Sequence, residues 1–189
     1  DTAAINALAD SQRVELLDGA EVAVRPIRAD DRGQLLDGFD RLSPESRYRR
    51  FLSPATGLTA EQLAYLTDVD HHDHEALVAV DVVTGAGVGV ARFIRSRDDP
   101  QTAEFAVAVI DAWHGRGVGT VLLALLIDRA REEGIERFLG TVLSRNRPML
   151  ELLNEFARPR VVGNAGGVLE LSIALPDEML GGQLPALLR

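Results

Sequence analysis

The chain has no cysteine and no lysine, and only 5% of its 189 residues are aromatic. Without cysteine, these residues can form no disulfide, no thiolate metal site and no cysteine nucleophile, a composition compatible with the cytosol. No apolar run approaches the roughly 18 residues that a membrane span requires. The first ten residues, DTAAINALAD, lack the basic flank and apolar stretch of a signal peptide. The expectation is therefore a cytoplasmic location and no membrane partner. Positive charge is the minority sign: 20 basic against 29 acidic residues give a net charge of −9. A general nucleic-acid binder would be basic, so nucleic acid is not expected as a partner. Acidity draws cationic partners, amines among them, or serves only solubility. All 20 basic residues are arginine, which reads chiefly as the codon bias of a GC-rich genome.

What is present is the composition of one soluble globular domain: 46% hydrophobic and 26% charged residues, with no repeats or low-complexity tracts. A domain of this length can bury roughly 70% of its unfolded surface. Residues 1–11 are alanine-rich and read as an N-terminal arm, either a short helix or a loose segment. The domain proper is expected over 12–176. The stretch 177–189, DEMLGGQLPALLR, reads as a C-terminal tail, a loose end or a segment packed on a partner chain, which leaves a homodimer open.

Within the domain, Asp18-Gly19 lies between alternating apolar residues and predicts a hairpin with positive φ at both central positions. Asp30 and Asp31 are placed to cap a helix whose core face includes Leu35, Leu36 and Phe39. Ser43 followed by Pro44 starts a second helix, running to Phe51. Thr59 starts a third, with Glu61 or Gln62 near the reciprocal capping position. Strands are predicted over 76–80, 87–94 and 102–110. Leu122, Leu123, Leu126, Ile127 and Ala130 give residues 119–133 an apolar helical face that Gly134 ends. A strand over 137–143, a helix over 147–156 and a strand over 168–175 follow. The antiparallel meander leading into a strand–helix–strand crossover implies an α/β fold, a mixed and mostly antiparallel sheet with helices on both faces and one parallel pair.

The chemistry concentrates at residues 113–120, W-H-G-R-G-V-G-T, between the end of a strand and the start of the best helix. Gly115, Gly117 and Gly119 let the backbone turn sharply and approach a ligand. Free N–H groups at a helix start, reinforced by the helix dipole, suit a pyrophosphate, and Arg116 can add a charged contact. No Lys-Ser/Thr follows, so this is not a nucleoside-triphosphate loop, and the spacing fails the dinucleotide fingerprint.

The run His114-Gly115-Arg116-Gly117-Val118-Gly119 resembles the acyl-CoA motif Gln/Arg-x-x-Gly-x-Gly/Ala of the GNAT superfamily of N-acyltransferases, with His114 in place of the usual Gln or Arg. The resemblance covers residues 20–175. It implies acetyl-CoA as co-substrate and an amine as acceptor. It also implies two strands that part to admit the pantetheine arm. By position, Val107, Ala108 and Val109 would contact the pantetheine and thioester. His114, Gly115, Arg116, Gly117, Val118, Gly119 and Thr120 would hold the pyrophosphate. Asn146 would contact the pantetheine arm, cap the following helix, or both.

A narrower likeness lies in the segments L-x-DG-x-x-V-x-x-RPIR, RLSPESRYRRF, LTDVD and TAEFAVAV. They are similar to the acetyltransferase domain of bacterial protein lysine acetyltransferases. Those relatives use a glutamate in the matching AEFA-like stretch as the base, which is Glu104 here. Glu104 is the only acid in an apolar strand, where apolar neighbours would raise its pKa toward neutrality; the other reading is a solvent-facing residue or an arginine's partner. A small amine is the alternative acceptor, and a non-catalytic acyl-CoA-binding module the alternative class. An enzyme of this kind would find no lysine of its own among these residues. The family's tyrosine acid falls at Leu153, so Tyr48 or Tyr65 would have to substitute. No metal is expected: His71, His72 and His74, with Asp70 and Asp73, lack the i, i+4 spacing of zinc helices. Arg47, Arg49 and Arg50 form a basic cluster, a solvated helix face or a contact for phosphate or an acidic substrate patch. Trp113 is expected to anchor the loop against the sheet.

Overall fold

The computed structural model describes residues 10–52 and 56–189; most of the expected N-terminal arm lies outside them. One sheet of eight strands runs in the order β1-β2-β3-β4-β5-β6-β8-β7. Its strands are β1 Gln12–Glu15, β2 Glu21–Pro26, β3 His74–Asp81, β4 Gly87–Arg95, β5 Thr102–Val109, β6 Arg137–Leu143, β7 Arg160–Ala165 and β8 Val168–Ala174. All neighbours pair antiparallel except β5 and β6. The helices are α1 Arg32–Asp40, α2 Pro44–Phe51, α3 Ala60–Thr67, α4 Val118–Glu132, α5 Arg147–Phe156 and the short α6 Leu184–Leu187. The expected mixed, mostly antiparallel fold with a parallel pair is the one found. Among the described residues no helix is long and apolar enough to cross a membrane.

Strand β3 shows why the sheet has helices on both faces. Its residues from Glu75 to Val80 are all buried. Because successive side chains point to opposite faces, Leu77 and Ala79 join the main core, with Leu122, Leu126 and Ile127 of α4. Ala76, Val78 and Val80 join a second, smaller cluster with Ile27 on the other face.

Local signals set most boundaries. Ser43 Oγ accepts the Ser46 N–H at 3.1 Å with Pro44 at the first helical position. Thr59 and Gln62 form the reciprocal cap of α3. Gly134, at φ +78°, follows the end of α4.

Three expectations are corrected, and one strand is added. At the β1–β2 turn only Gly19 has positive φ, +82°. Leu16 O accepts the Gly19 N–H while the Leu16 N–H donates to Ala20 O, so this is a three-residue loop closed by a bulge at the glycine. Asp31 does not cap α1 forward. Its oxygens receive Arg25 at 2.8 Å in both contacts and the Arg28 N–H at 2.7 Å, a buried pair tying β2 to the helix. Leu36 is exposed rather than on the core face. Between α5 and β8, the extra strand β7 completes a hairpin over Gly166 and Gly167, a partner that the sequence pattern did not show.

The C-terminal segment is neither loose nor free for a partner chain along its leucines. Leu180, Leu184 and Leu188 are buried in the main core. Helix α4 is apolar on more than one face, and a helix apolar all round must be covered on all sides. Buried Asp128 fixes the cover by accepting the N–H groups of Leu180 and Gly181, each at 2.7 Å. Asp128→Ala strands both donors beside a lost charge, so stability should fall by about 3 kcal/mol in urea unfolding.

Candidate active site

Strands β5 and β6 pair only through Thr102–Arg137, Ala103–Phe138 and Glu104–Leu139. Beyond Glu104, β5 continues along β4 to Val109, while β6 continues along β8. The Phe105 ring stacks on Phe138 with centroids 5.3 Å apart and lies against Gly140, where a Cβ would collide with it. The Ile110 N–H donates to Val88 O. Strand alternation then turns the main-chain groups of Phe105, Val107 and Val109 toward the opened side. A cleft of about 610 Å³ occupies the gap.

The loop after β5 leads into the N-terminus of α4. Trp113 is nearly buried and joins the core, as expected of an anchor. Gly115 and Gly117 have φ of +72° and +97°, which glycine adopts without strain. The first bond back into the loop is Val121 N–H to Gly117 O; the N–H groups of Gly115 through Thr120 meet no acceptor among the described residues. Unpartnered amides at a helix start, with the dipole behind them, form an anion site. The loop is braced from behind: a Cβ on Gly117 would stand 2.5 Å from Leu188 of the C-terminal segment.

Of the residues singled out in the sequence, Val107, Ala108 and Val109 line the cleft from β5. His114, Gly115, Gly117, Val118, Gly119 and Thr120 line it from the loop and helix. Its His114 member donates from Nε2 to Val109 O at 2.7 Å, a contact that closes the loop onto the strand. Thr120 Oγ1 stands 3.5 Å from Glu155 Oε2. Asn146 also lines the cleft, is buried and caps α5 by accepting the Met149 N–H at 3.4 Å. Arg116 is the exception. Its Nε donates to Asp18 Oδ2 at 2.6 Å, its guanidinium lies 3.8 Å over the Trp113 ring, and it does not line the cleft. The Ala20 N–H first, and Arg116 second, hold the Asp18 carboxyl below the usual carboxylate range.

Glu104 occupies the last paired position before the fork and lines the cleft. It is exposed, so the apolar enclosure expected around it is not what surrounds it. Leu153 is buried in the core, and neither Tyr48 nor Tyr65 lines the cleft. The three histidines go to separate partners: His71 to Glu75 at 2.8 Å, His72 to Glu133, and His74 to Arg92 at 2.9 Å. No group of three or more metal-ligating side chains occurs among the described residues.

The arginine cluster of α2 is divided. Arg47 lies 4.4 Å over the Phe39 ring and Arg49 pairs with Glu45 at 2.7 Å, while Arg50 turns toward the cleft. Arg92, which the sequence reading missed, stands beside it on the wall of the same cleft. The signal was there: one arginine inside the apolar strand GVGVARFI.

A parted strand pair beside a helix N-terminus with free amides is the architecture of an acyl-CoA-dependent N-acyltransferase. Residues 41–157 match the Acetyltransferase (GNAT) family. The chain belongs to that family, whose acetyl donor is acetyl-CoA. It is 33% identical to Acetyltransferase Pat of Mycolicibacterium smegmatis over 156 residues, covering 82% of this chain and 46% of that protein. The chain thus spans about half the length of that relative. It is 34% identical to Acetyltransferase PA5475 of Pseudomonas aeruginosa over 137 residues, covering 71% of this chain and 73% of that one. Among solved structures, the GNAT domain of S. lividans PAT superposes with a TM-score of 0.81 at 32% identity, covering 87% of this chain and 97% of that one.

Two predictions follow from this geometry. Gly117→Ala combines a left-handed backbone, which disfavours a Cβ by about 1–2 kcal/mol, with a collision against Leu188, and should lower the melting temperature measurably. Burial first, and the Arg92 charge second, push the His74 pKa down to about 4. The unfolded chain takes up that proton near pH 6.5, so His74 leaves stability unaffected above 6.5 and erodes it as pH falls toward 4. His74→Gln should flatten the acid limb of a stability–pH curve over that interval.

Proposed function

We propose that the chain transfers the acetyl group of acetyl-CoA to a protein lysine, with Glu104 as the general base. The observation that carries this reading is the position of Glu104: the last paired residue of β5, opening into the same cleft as the unpartnered amides of residues 115–120. A diphosphate held by those amides would lay the pantetheine arm along the free edge of β5. Bound there, acetyl-CoA supplies an activated thioester.

The acceptor nitrogen reaches the cleft as an ammonium and cannot attack until it loses a proton. Glu104, open to the cleft, accepts that proton directly or through one water. The amine nitrogen then bonds to the acetyl carbon as the carbon–sulfur bond breaks. The Val107 N–H, on the free edge of the strand, is the donor best placed for the negative charge that develops on the acetyl oxygen. After attack the nitrogen still carries one proton too many; it passes that proton through water to the departing sulfur, which leaves as the thiol, and Glu104 returns the first proton to solvent. A protein lysine as acceptor is supported by the likeness to Pat and to the PAT domain. The single-domain length leaves any regulation by a further domain outside these residues.

Glu104→Gln keeps the shape and removes the base. It should lower kcat by about 10²–10⁴-fold while acetyl-CoA binding, measured by calorimetry, stays unchanged. Acetylation of lysine peptides at the parent rate by the variant would overturn the assignment.

A further inference from the structure

The face of the sheet that carries Glu104 also carries Arg92, and Arg50 of α2 stands on the wall of the same cleft; neither guanidinium pairs with a carboxylate among the described residues. Arg92 on β4 lies opposite Ala106, so its register position falls between Glu104 and Ala108. It is buried, and its Nη1 donates to Leu66 O at 3.1 Å and to His74 Nε2 at 2.9 Å. Both partners are neutral near pH 7, since the pKa of His74 is pushed down to about 4. Among the described residues, Arg50 on α2 has no hydrogen bond or ion pair; its guanidinium stands 4.9 Å from the ring centroid of its neighbour Phe51. Burial pushes its pKa down; burial first and Arg50 second push that of Arg92 down to about 10. No carboxylate of the described residues pairs with either group.

The neighbouring arginines make the contrast. Arg25 pairs with Asp31, Arg49 with Glu45 and Arg116 with Asp18. Asp31 shares a cavity wall with Arg50 and Arg92, yet gives its oxygens to Arg25 and the Arg28 N–H. Two guanidinium groups in one cleft, neither within ion-pair distance of a carboxylate among the described residues, call for an anion from elsewhere.

We propose that Arg50 and Arg92 form a carboxylate-recognition site for the acceptor, so that this protein selects amines that bear a carboxylate close to the reacting nitrogen. The proposal rests on the acetyltransferase reading and specifies its substrate class. An ammonium approaching Glu104 alone would face two uncompensated guanidinium groups. An acceptor with its own carboxylate turns that repulsion into attraction. The cavity beside them is walled by Ile27, Phe39, Val78 and Val90, which keep water away and strengthen the pairing. The guanidinium fork matches a carboxylate in two parallel hydrogen bonds. The cofactor's diphosphate is not the anion in question, because its amides begin at Gly115, whereas Arg92 stands opposite Ala106, toward the acyl end of β5. Two sources offer this chemistry: an Asp or Glu side chain beside a lysine in a protein, or the α-carboxylate of a free amino acid.

The test is calorimetric binding to the protein loaded with coenzyme A, which requires no turnover. One pair of probes is a lysine peptide with Asp and Glu neighbours against the same peptide with Asn and Gln. The other pair is leucine against leucinamide. The expected result is about tenfold tighter binding of the acidic member of one pair, about 1.4 kcal/mol. The pair that discriminates identifies the source. Arg50→Gln and Arg50→Met, each checked for folding by circular dichroism, should both bring the ratio close to one, and Arg50→Lys should keep part of it. Equal affinity within both pairs, no measurable binding of either acidic member, or a preference that survives in Arg50→Gln and Arg92→Gln would overturn the proposal. Acetyl transfer is assayed separately, so a failure of the catalytic reading leaves this readout standing, and the reverse.

Discussion

Three residues of parallel pairing hold β5 to β6, and the cleft exists because the pairing stops there. A β-strand whose hydrogen bonds are complete on both sides offers a ligand nothing but side chains. One that is paired on one side and released on the other keeps a row of main-chain donors and acceptors open. The release needs a wedge and room for it. The Phe105 ring supplies the first and the bare backbone of Gly140 the second. Both parted strands remain anchored on their far sides, β5 by β4 and β6 by β8, so the gap forms without loosening the sheet.

The second condition is that the amides beyond β5 stay free. Loop N–H groups readily find acceptors within the protein unless the backbone is held otherwise. Here the loop is fixed from outside its own hydrogen bonds: Trp113 is sunk in the core, Arg116 is clamped between that ring and Asp18 of the first hairpin, and Leu188 backs Gly117. The first turn and the last helix of the chain therefore meet behind one loop. Asp128, holding the C-terminal segment by two main-chain bonds, belongs to the same support although it lies far from the cleft in sequence.

Charge is arranged on the same principle of leaving specific groups unanswered. Several arginines around the site are matched with a carboxylate, and those matches serve packing: Arg25 with Asp31 joins β2 to α1, and Arg116 with Asp18 joins the loop to the hairpin. Arg50 and Arg92 line the cleft without such a match among the described residues, and Glu104 opens into the same cleft with no basic group within ion-pair distance. Glu104 on the same sheet face as Arg92, with Arg50 beside it, describes a zwitterionic ligand more naturally than a plain cation.

The sequence by itself determined what depends on neighbours along the chain. Ser43-Pro44, Thr59 with Gln62, and Gly134 set helix ends through caps that close within four residues, and the short apolar runs of β3 to β5, broken by Gly and Asp turns, set the meander. The glycine spacing of residues 115–119 marked the anion loop for the same reason, since a backbone conformation is a local property. Only the tertiary structure decided what depends on residues far apart. Asp31 turned from a helix cap to Arg25, and Arg116 from the ligand to Asp18, because a carboxylate or guanidinium takes whichever partner folding brings nearest. The leucines of the C-terminal segment were buried because α4 had a second apolar face to cover. Arg47 parted from Arg49 and Arg50 because neighbouring positions on a helix face different directions: Arg49 and Arg50 met the cleft, where Glu45 took Arg49 and left Arg50 without a carboxylate, while Arg47 turned onto Phe39.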